Sequence, residues 1–163
     1  MKKTLGIISL FLIILFIGCK TKELSPEQQI KAKEYVDKIE SRNFIFNANS
    51  AQPMSGRSIN LNYNYYLKVS KDTVIANLPY YGRSYVAPIN PRDISIDFTS
   101  TNFLYSENKK KDGAYEIKIV PKDITNRENE GISFLLKISP DGYATLNALP
   151  TNRQSISFYG TVE

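Results

Sequence analysis

The sequence has no histidine, no tryptophan and a single cysteine, Cys19. Without imidazole, the Ser-His-Asp and Cys-His nucleophile systems and His-ligated zinc sites are excluded. One cysteine cannot form a disulfide within the chain, so the fold must be stable through its core alone. These absences favour a protein that is not an enzyme and has neither a metal site nor another cofactor.

The chain also lacks a large excess of charge of one sign. Its formal net charge is +5, and Lys2 and Lys3 account for two of these charges, which leaves +3 for residues 19–163. The only basic run is Lys109-Lys110-Lys111, which we interpret as a solvated loop tip. Nucleic-acid binders concentrate basic residues on one face, so no nucleic-acid partner is expected.

The long apolar run at the amino terminus is typical of a secretory signal. Lys2 and Lys3 precede Leu5–Ile17, which is almost wholly apolar, and the small residue Gly18 follows. Charged, apolar and small segments in this order are the layout of such a signal. As a helix the apolar run spans about 20 Å, less than the roughly 30 Å of a bilayer core, which disfavours a permanent transmembrane helix.

The tetrapeptide Phe16-Ile17-Gly18-Cys19 resembles the bacterial lipobox, although Phe16 stands where Leu is usual. The resemblance implies a signal peptide over residues 1–18, acylation of Cys19 by palmitate-type chains and a lipidated tether over residues 19–24. Two or more acyl chains suffice for stable anchoring to membrane lipid. The expected location is the cell envelope outside the cytoplasm, on the outer membrane, with the periplasmic face and the cell surface both open. An ordinary signal that ends at Cys19 is the alternative.

A single domain over residues 25–163 follows, and it begins with a helix. Ser25, Pro26 and Gln28 form a helix start with a capping box. Apolar residues then recur at helical spacing, which predicts a helix over 26–41 whose apolar stripe packs against a sheet: Ala32, Tyr35, Val36 and Ile39.

From Asn43 onward the hydrophobic period changes to two, which predicts strands. The clearest alternation places six residues on one side of a strand: Ile59, Leu61, Tyr63, Tyr65, Leu67 and Val69. Shorter alternations recur at Phe44/Phe46, Val74/Ala76/Leu78, Ile94/Ile96/Phe98, Tyr115/Ile117/Ile119, Ile132/Phe134/Leu136/Ile138 and Ile156/Phe158/Val162.

Short turns separate several of these runs: Lys71-Asp72, Asp112-Gly113 and Ser139-Pro140-Asp141-Gly142. Strands joined by such turns pair antiparallel. The prediction is an all-β, mainly antiparallel domain of about eight or nine strands with one amino-terminal amphipathic helix. A lipocalin-like barrel or half-open barrel, with the helix plugging one end or lying on its side, is favoured over a two-sheet sandwich.

Three segments carry a family resemblance: Asn77-Leu78-Pro79-Tyr80-Tyr81-Gly82-Arg83-Ser84-Tyr85, Asp97-Phe98-Thr99-Ser100-Thr101-Asn102-Phe103 and Asn152-Arg153-Gln154-Ser155-Ile156-Ser157-Phe158-Tyr159-Gly160. In this order they resemble a domain-of-unknown-function family, of the 4251 type, of exported lipoproteins from Bacteroidetes. The resemblance covers residues 30–163. It implies a β-rich, barrel-like fold and an envelope location, and it implies no activity.

The same segments supply a candidate ligand-binding rim: Tyr80, Tyr81, Arg83, Tyr85 and Arg153. Pro79 cannot donate a ladder hydrogen bond and Gly82 relaxes the backbone, so a strand ends here. Aromatic faces and an Arg fork suit a sugar ring, a planar ligand or a carboxylate. The alternatives are that the tyrosines cap the core with their hydroxyls in water and that Arg153 forms a structural ion pair.

The acidic residues are weaker candidates for a functional site than the rim residues. Asp93 and Asp97 share a strand face opposite the apolar one, where both are solvated, whereas a general acid needs a pKa raised by burial or a like-charged neighbour. Glu128 and Glu130 lie in a polar stretch without a calcium-loop pattern, which we interpret as an incidental surface loop.

The sequence favours a non-catalytic, lipid-anchored envelope binding or interaction module that contacts a small ligand or an envelope protein. The first alternative is a structural or assembly component of a cell-envelope complex. The second is a carboxylate-dependent glycan hydrolase.

Overall fold

The computed structural model describes residues 26–85 and 95–163, which form one helix and nine strands. They are α1 (Pro26–Glu40), β1 (Phe44–Pro53), β2 (Ile59–Val69), β3 (Val74–Leu78), β4 (Ile96–Ser100), β5 (Phe103–Lys109), β6 (Tyr115–Pro121), β7 (Ser133–Ile138), β8 (Tyr143–Leu149) and β9 (Ile156–Val162). The predicted helix and strand number are confirmed. The predictions for residues 1–24, and those that concern Asp93 and Ile94, lie outside the described residues.

All nine strands belong to one antiparallel sheet, in the order β4-β3-β2-β1-β9-β8-β7-β6-β5. Neighbouring strands are consecutive in the chain except β1 and β9, which pair from Phe46–Val162 to Pro53–Ile156. The last strand in the sequence therefore lies in the middle of the sheet.

The sheet closes into a barrel through one bent strand. β4 and β5 lie at opposite ends of the strand order, yet only Thr101 and Asn102 separate them in the chain. Because all the intervening pairs are antiparallel, β4 and β5 run in the same direction. They form one long strand that pairs with β3 before the bend and with β6 after it. The result is a nearly closed barrel, which confirms the barrel prediction over the two-sheet sandwich.

Alternate residues of the strands fill the barrel interior, as a period of two requires. The largest buried side chains are Phe44, Phe46, Leu67, Leu78, Ile96, Tyr115, Ile117, Ile119, Ile132, Phe134 and Phe158. Phe98 stacks on Phe134 with ring centroids 6.0 Å apart. This packing supplies the cohesion that a chain without a disulfide needs.

Helix α1 covers one end of the barrel, hereafter the helix end. Ile39 is fully buried against the core, and the Tyr35 hydroxyl donates to the Ser139 carbonyl at 3.3 Å. Glu40 Oε1 accepts a hydrogen bond from the Tyr115 hydroxyl at 2.9 Å. The turns over 71–72, 110–113 and 140–142 lie at this end. The connections over 54–58, 122–132 and 150–155 lie at the opposite end, hereafter the rim end, together with the described residues 79–85 after β3.

Two predicted turns at the helix end are confirmed. Gly142 has φ +87° and its N–H donates to the Ser139 carbonyl at 3.0 Å. Gly113 has φ +85° and its N–H donates to the Lys110 carbonyl at 3.1 Å. Both glycines occupy the left-handed region, where a side chain is disfavoured.

The unbroken alternation predicted for β2 is wrong in its middle part. The register with β1 passes from Ala48–Tyr65 to Ser50–Asn60, so residues 61–64 of β2 lie opposite the single residue Asn49. This part of β2 departs from regular pairing, and Tyr63 is largely exposed rather than packed in the core. Hydrophobic alternation in the sequence shows on which side of a strand each residue lies, but it does not determine which residues pair with the neighbouring strand.

Candidate functional site

The candidate site begins where β3 stops. Leu78 is the last residue of β3, and Pro79 follows with no N–H to continue the ladder. The chain then crosses the rim end toward the start of β9, where Ser84 and Arg153 form an isolated antiparallel bridge. The Tyr85 N–H donates to the Asn152 carbonyl at 2.8 Å. Backbone hydrogen bonds therefore fix this connection to the barrel.

Gln154 adds further bonds to the same connection. Its N–H donates to the Arg83 carbonyl at 3.0 Å, and its side-chain oxygen accepts from the Arg83 N–H at 3.2 Å. The Tyr80 hydroxyl lies 2.9 Å from the Gln154 carbonyl oxygen and 3.2 Å from that of Arg83. A Cβ at Gly82 would lie 2.5 Å from the Tyr80 hydroxyl oxygen, so the absence of a side chain lets the Tyr80 ring lie under the backbone.

Arg153 lies beneath the connection with only 3% of its surface exposed. Its guanidinium carbon is 4.2 Å from the centroid of the Tyr80 ring. Its Nη2 donates to the Asn129 side-chain oxygen and, at 3.3 Å, to the Ser95 carbonyl. A desolvated cation–π contact of this kind is worth about 2 kcal/mol. Tyr80 and Arg153 therefore form a buried base for the connection.

Charge balance in this base involves Glu128, whose carboxylate stabilises the charged form of Arg153. Burial lowers the pKa of the Arg153 guanidinium, and Tyr80 and Glu128 oppose that change. Burial also raises the pKa of the Tyr80 hydroxyl. Glu128 is only 7% exposed, so the prediction of an incidental surface loop is wrong for Glu128, whereas Glu130 is exposed.

Three side chains of the predicted rim point outward above this base: Tyr81, Arg83 and Tyr85. Tyr85 is 67% exposed. Partial burial and the proximity of Tyr65 raise the pKa of the Tyr81 hydroxyl. These three residues are hereafter the exposed rim.

The structure thus brings all five predicted rim residues together but in two layers. Tyr80 and Arg153 lie under the surface, where the Tyr80 hydroxyl bonds to backbone carbonyls and not to water alone. Sequence reasoning missed Asn129 and Ser95 as the acceptors of Arg153. No local signal identifies them, because both depend on connections that meet only in the folded barrel.

The remaining candidates lie elsewhere. Asp97 is exposed on β4, as predicted, while Asp93 and Cys19 are outside the described residues. Within residues 26–85 and 95–163, no three His, Cys, Asp or Glu side chains are placed to hold a metal ion. In the same part of the chain, no helix has the length and apolar character needed to cross a membrane.

Fold and site together define a class: a small antiparallel barrel closed at one end by a helix, with a fixed rim of aromatic and cationic side chains at the other. The chain belongs to the DUF4251 family, described as a domain of unknown function, whose profile matches residues 26–162. The family prediction is confirmed.

One solved relative shares this fold. A DUF4251 family protein from Bacteroides eggerthii DSM 20697, known from a crystal structure, is 18% identical in sequence and superposes with a TM-score of 0.55. The similarity covers 82% of this chain and 87% of that chain. At this identity it shows the fold alone. No curated protein matches the sequence significantly.

Proposed function

We propose that this chain is a non-catalytic binding module of the bacterial cell envelope, anchored to membrane lipid through acylated Cys19, and that its exposed rim contacts a small ligand or an envelope protein. One observation carries the proposal: Tyr81, Arg83 and Tyr85 project from a connection that is fixed by backbone hydrogen bonds to the start of β9. A contact surface that is already ordered loses less conformational entropy on binding.

The residue types of the exposed rim support binding rather than simple solvation. Tyrosine and arginine are enriched among residues that dominate binding energies. Tyrosine offers a broad apolar face with a polar tip, and the Arg83 guanidinium can bind a carboxylate or phosphate through two parallel hydrogen bonds. The buried Tyr80–Arg153 base supports the backbone that carries these side chains, because the Tyr80 hydroxyl bonds to the Arg83 and Gln154 carbonyls. No general acid or nucleophile is needed for this role.

The proposal is tested by thermal unfolding of the full chain in a detergent without a sugar headgroup. The probes are neutral sugars, bile salts, phospholipid headgroups and peptidoglycan fragments. At least one probe class is expected to raise the unfolding midpoint, since a ligand that binds only the native state stabilises it. The increase is expected to disappear in Tyr85→Ala and in Arg83→Gln.

Matched controls are Leu104→Ala on β5 and Lys111→Gln in the turn after β5, which remove an exposed apolar side chain and an exposed cation outside the exposed rim. Both are expected to keep the full response. A response that survives Tyr85→Ala and Arg83→Gln contradicts the assignment of the exposed rim, and an unchanged midpoint with every probe contradicts the small-ligand role.

A further inference from the structure

The outer face of four adjacent strands contains a continuous field of uncharged polar side chains. Excluding the outward Ile45, Lys68 and Leu149 at its edges, this neutral face consists of eleven of the outward positions of β2, β1, β9 and β8: Asn60, Tyr66, Asn47, Ser50, Gln52, Ser157, Tyr159, Thr161, Tyr143, Thr145 and Asn147. Every one is an amide, a hydroxyl or a tyrosine.

Cross-strand pairing makes these residues direct neighbours. One row runs Tyr66–Asn47–Thr161–Tyr143, a second runs Asn60–Ser50–Tyr159–Thr145, and a third runs Gln52–Ser157–Asn147. Directly opposed residues have Cβ atoms about 5 Å apart. The neutral face is therefore one surface and not a set of scattered positions.

The absence of charge is local. Charged residues make up 23% of the sequence, and on β6 and β7, next in the sheet, three of the six outward positions are charged: Glu116, Lys118 and Lys137. Lys137 lies opposite Thr145 and marks one border of the neutral face. Glu163, which accepts a hydrogen bond from Asn47 Nδ2 at 2.7 Å, marks another. Lys68, which is exposed on β2 and pairs with Ile45, marks a third beside Tyr66.

A groove of about 320 Å³ crosses this surface between the exposed rings of Tyr143 and Tyr159. These two tyrosines are 64% and 46% exposed. Ser50, Thr145 and Gly160 line the groove with small side chains or none. Its volume lies at the lower limit of typical ligand sites, about 300–1,000 Å³.

Much of the hydrogen-bonding capacity of the groove is unused. Within the described residues, the side chains of Ser50, Thr145, Tyr143 and Tyr159 make no hydrogen bond to protein atoms, whereas the Ser157 hydroxyl donates to Asn147 Oδ1 at 2.7 Å. Each free hydroxyl can both donate and accept. The groove therefore offers neutral donors and acceptors between two aromatic faces.

We infer that the neutral face is a binding site for a neutral oligosaccharide, separate from the exposed rim. Sugar rings present many hydroxyls on their edges and an apolar C–H face, which match hydroxyl and amide partners and tyrosine rings. A charged ligand has no partner of opposite sign within the face. A protein partner fits less well, because the core of a protein interface is apolar, whereas eight of the eleven positions carry a small hydroxyl or an amide and only three carry a tyrosine ring.

The test is calorimetric titration of the full chain, in a detergent without a sugar headgroup, with linear hexasaccharides of glucose, xylose and mannose. Polygalacturonate oligosaccharides serve as charged counterparts. At least one neutral hexasaccharide is expected to bind, and Tyr143→Ala and Tyr159→Ala are each expected to weaken it about five- to tenfold. Thr145→Asp, which places a carboxylate in the groove, is expected to abolish binding.

Matched variants distinguish the loss of a contact with the sugar from misfolding of the chain. Tyr159→Phe keeps the ring and is expected to bind within about twofold of the unaltered chain. Leu104→Ala, which truncates a 61% exposed side chain on β5, is expected to bind normally. Backbone hydrogen exchange with and without the bound hexasaccharide is expected to localise protection to β1, β8 and β9.

Several results overturn the inference. They are no binding by any neutral hexasaccharide at millimolar concentration, equal binding of the charged oligosaccharides, or binding that survives Thr145→Asp. Loss of binding in Tyr85→Ala but not in Tyr159→Ala would assign the sugar to the exposed rim, which refutes this site and supports the proposed function. A dimer in sedimentation that Thr145→Asp dissociates would show that the face joins two copies of the chain.

Discussion

Arg153 shows at the scale of one residue how the barrel tolerates a buried cation. Removing a guanidinium from water is unfavourable unless it gains partners. Its flat face contacts the Tyr80 ring while its in-plane N–H groups reach Asn129 and Ser95. Lysine has a single compact ammonium group and cannot make both kinds of contact with this geometry.

Arg153→Lys is therefore expected to lower the free energy of unfolding by about 1–3 kcal/mol. The variant loses the stacked contact with the Tyr80 ring and one of the two hydrogen bonds that the guanidinium makes to Asn129 and Ser95. Urea-induced unfolding of the full chain measures the difference. Arg57→Lys, at an exposed position without a hydrogen bond or ion pair to any other described residue, is the control and is expected to unfold at the same urea concentration. Equal stability of Arg153→Lys and the unaltered chain contradicts the structural role of Arg153.

The sequence identifies the residue types of the site but not its two layers. Tyr80, Tyr81, Arg83 and Tyr85 follow Pro79, where strand pairing ends and the period of two no longer tells which side chain points inward. The burial of Glu128 depends on its proximity to Arg153, in a different connection of the rim end. From sequence alone, a short polar stretch is expected to be a solvated loop, because the distant residue that packs against it is not known.

At the scale of elements, the bend between β4 and β5 is held by one carboxylate. Asp123 Oδ2 accepts the backbone N–H groups of Thr101 at 2.8 Å and Asn102 at 3.1 Å, and Oδ1 accepts the Ser100 hydroxyl at 2.5 Å. The N–H groups of Thr101 and Asn102 lie where the bent strand changes its partner from β3 to β6. At this point no carbonyl of a neighbouring strand accepts them. Asp123 lies two residues after the end of β6, so it fastens the bent strand to its new neighbour.

These hydrogen bonds, first from Ser100 and then from Thr101 and Asn102, lower the pKa of Asp123 from 3.8 to about 2. A carboxylate with a lowered pKa in the folded state stabilises the fold above its unfolded pKa, and this contribution is lost as the pH falls through its folded pKa. Asp123→Ala is therefore expected to destabilise the barrel near neutral pH. The difference from the unaltered chain is expected to shrink between about pH 4 and pH 2, as followed by urea unfolding.

Asp97→Ala is the control for this variant. Asp97 lies on the same bent strand, is exposed, and makes no hydrogen bond within the described residues. Its removal is expected to leave stability almost unchanged at neutral pH. A destabilisation by Asp123→Ala that is equally large at pH 2 and pH 7 contradicts the role of the charged carboxylate.

Alternation predicted most strands because their inward residues are large and apolar. It did not assign β5 or β8. The inward positions of β8 are Ala144, Leu146 and Ala148, and β5 extends beyond the core toward the exposed Glu107. The bend at Thr101-Asn102 was also missed, since neither glycine nor proline marks it and its acceptor, Asp123, lies in the connection after β6.

At the scale of the whole molecule, the two ends of the barrel have different roles in the proposed function. The proposed tether over residues 19–24 comes just before α1 in the sequence, and α1 covers the helix end. The exposed rim lies at the opposite end. The proposed lipid anchor would therefore attach on the side of the barrel that carries the helix, and Tyr81, Arg83 and Tyr85 would face away from the membrane.

Cys19→Ser is expected to abolish fatty-acid labelling of the chain in the native host and to move it from the membrane fraction to the soluble fraction. The reason is that the Cys19 sulfur is the proposed attachment atom for the acyl chains of the anchor. Metabolic labelling and membrane fractionation measure both effects.

Thr21→Ser, a change of similar size within the tether, is the control and is expected to leave both readouts unchanged. Labelling and partitioning of Cys19→Ser that equal those of the unaltered chain contradict the proposed anchor. The barrel itself is expected to be unaffected by either variant.

The central position of β9 also has a consequence for biosynthesis. β9 inserts between β1 and β8, and Phe46 pairs with Val162 across almost the whole described chain. Contacts between residues so distant in sequence form slowly, and these cannot form until residues 156–162 have left the ribosome. Translation order thus postpones the compact state until β9 exists, and this delay would suit the proposed export, in which the polypeptide is threaded through a narrow translocation channel before it folds.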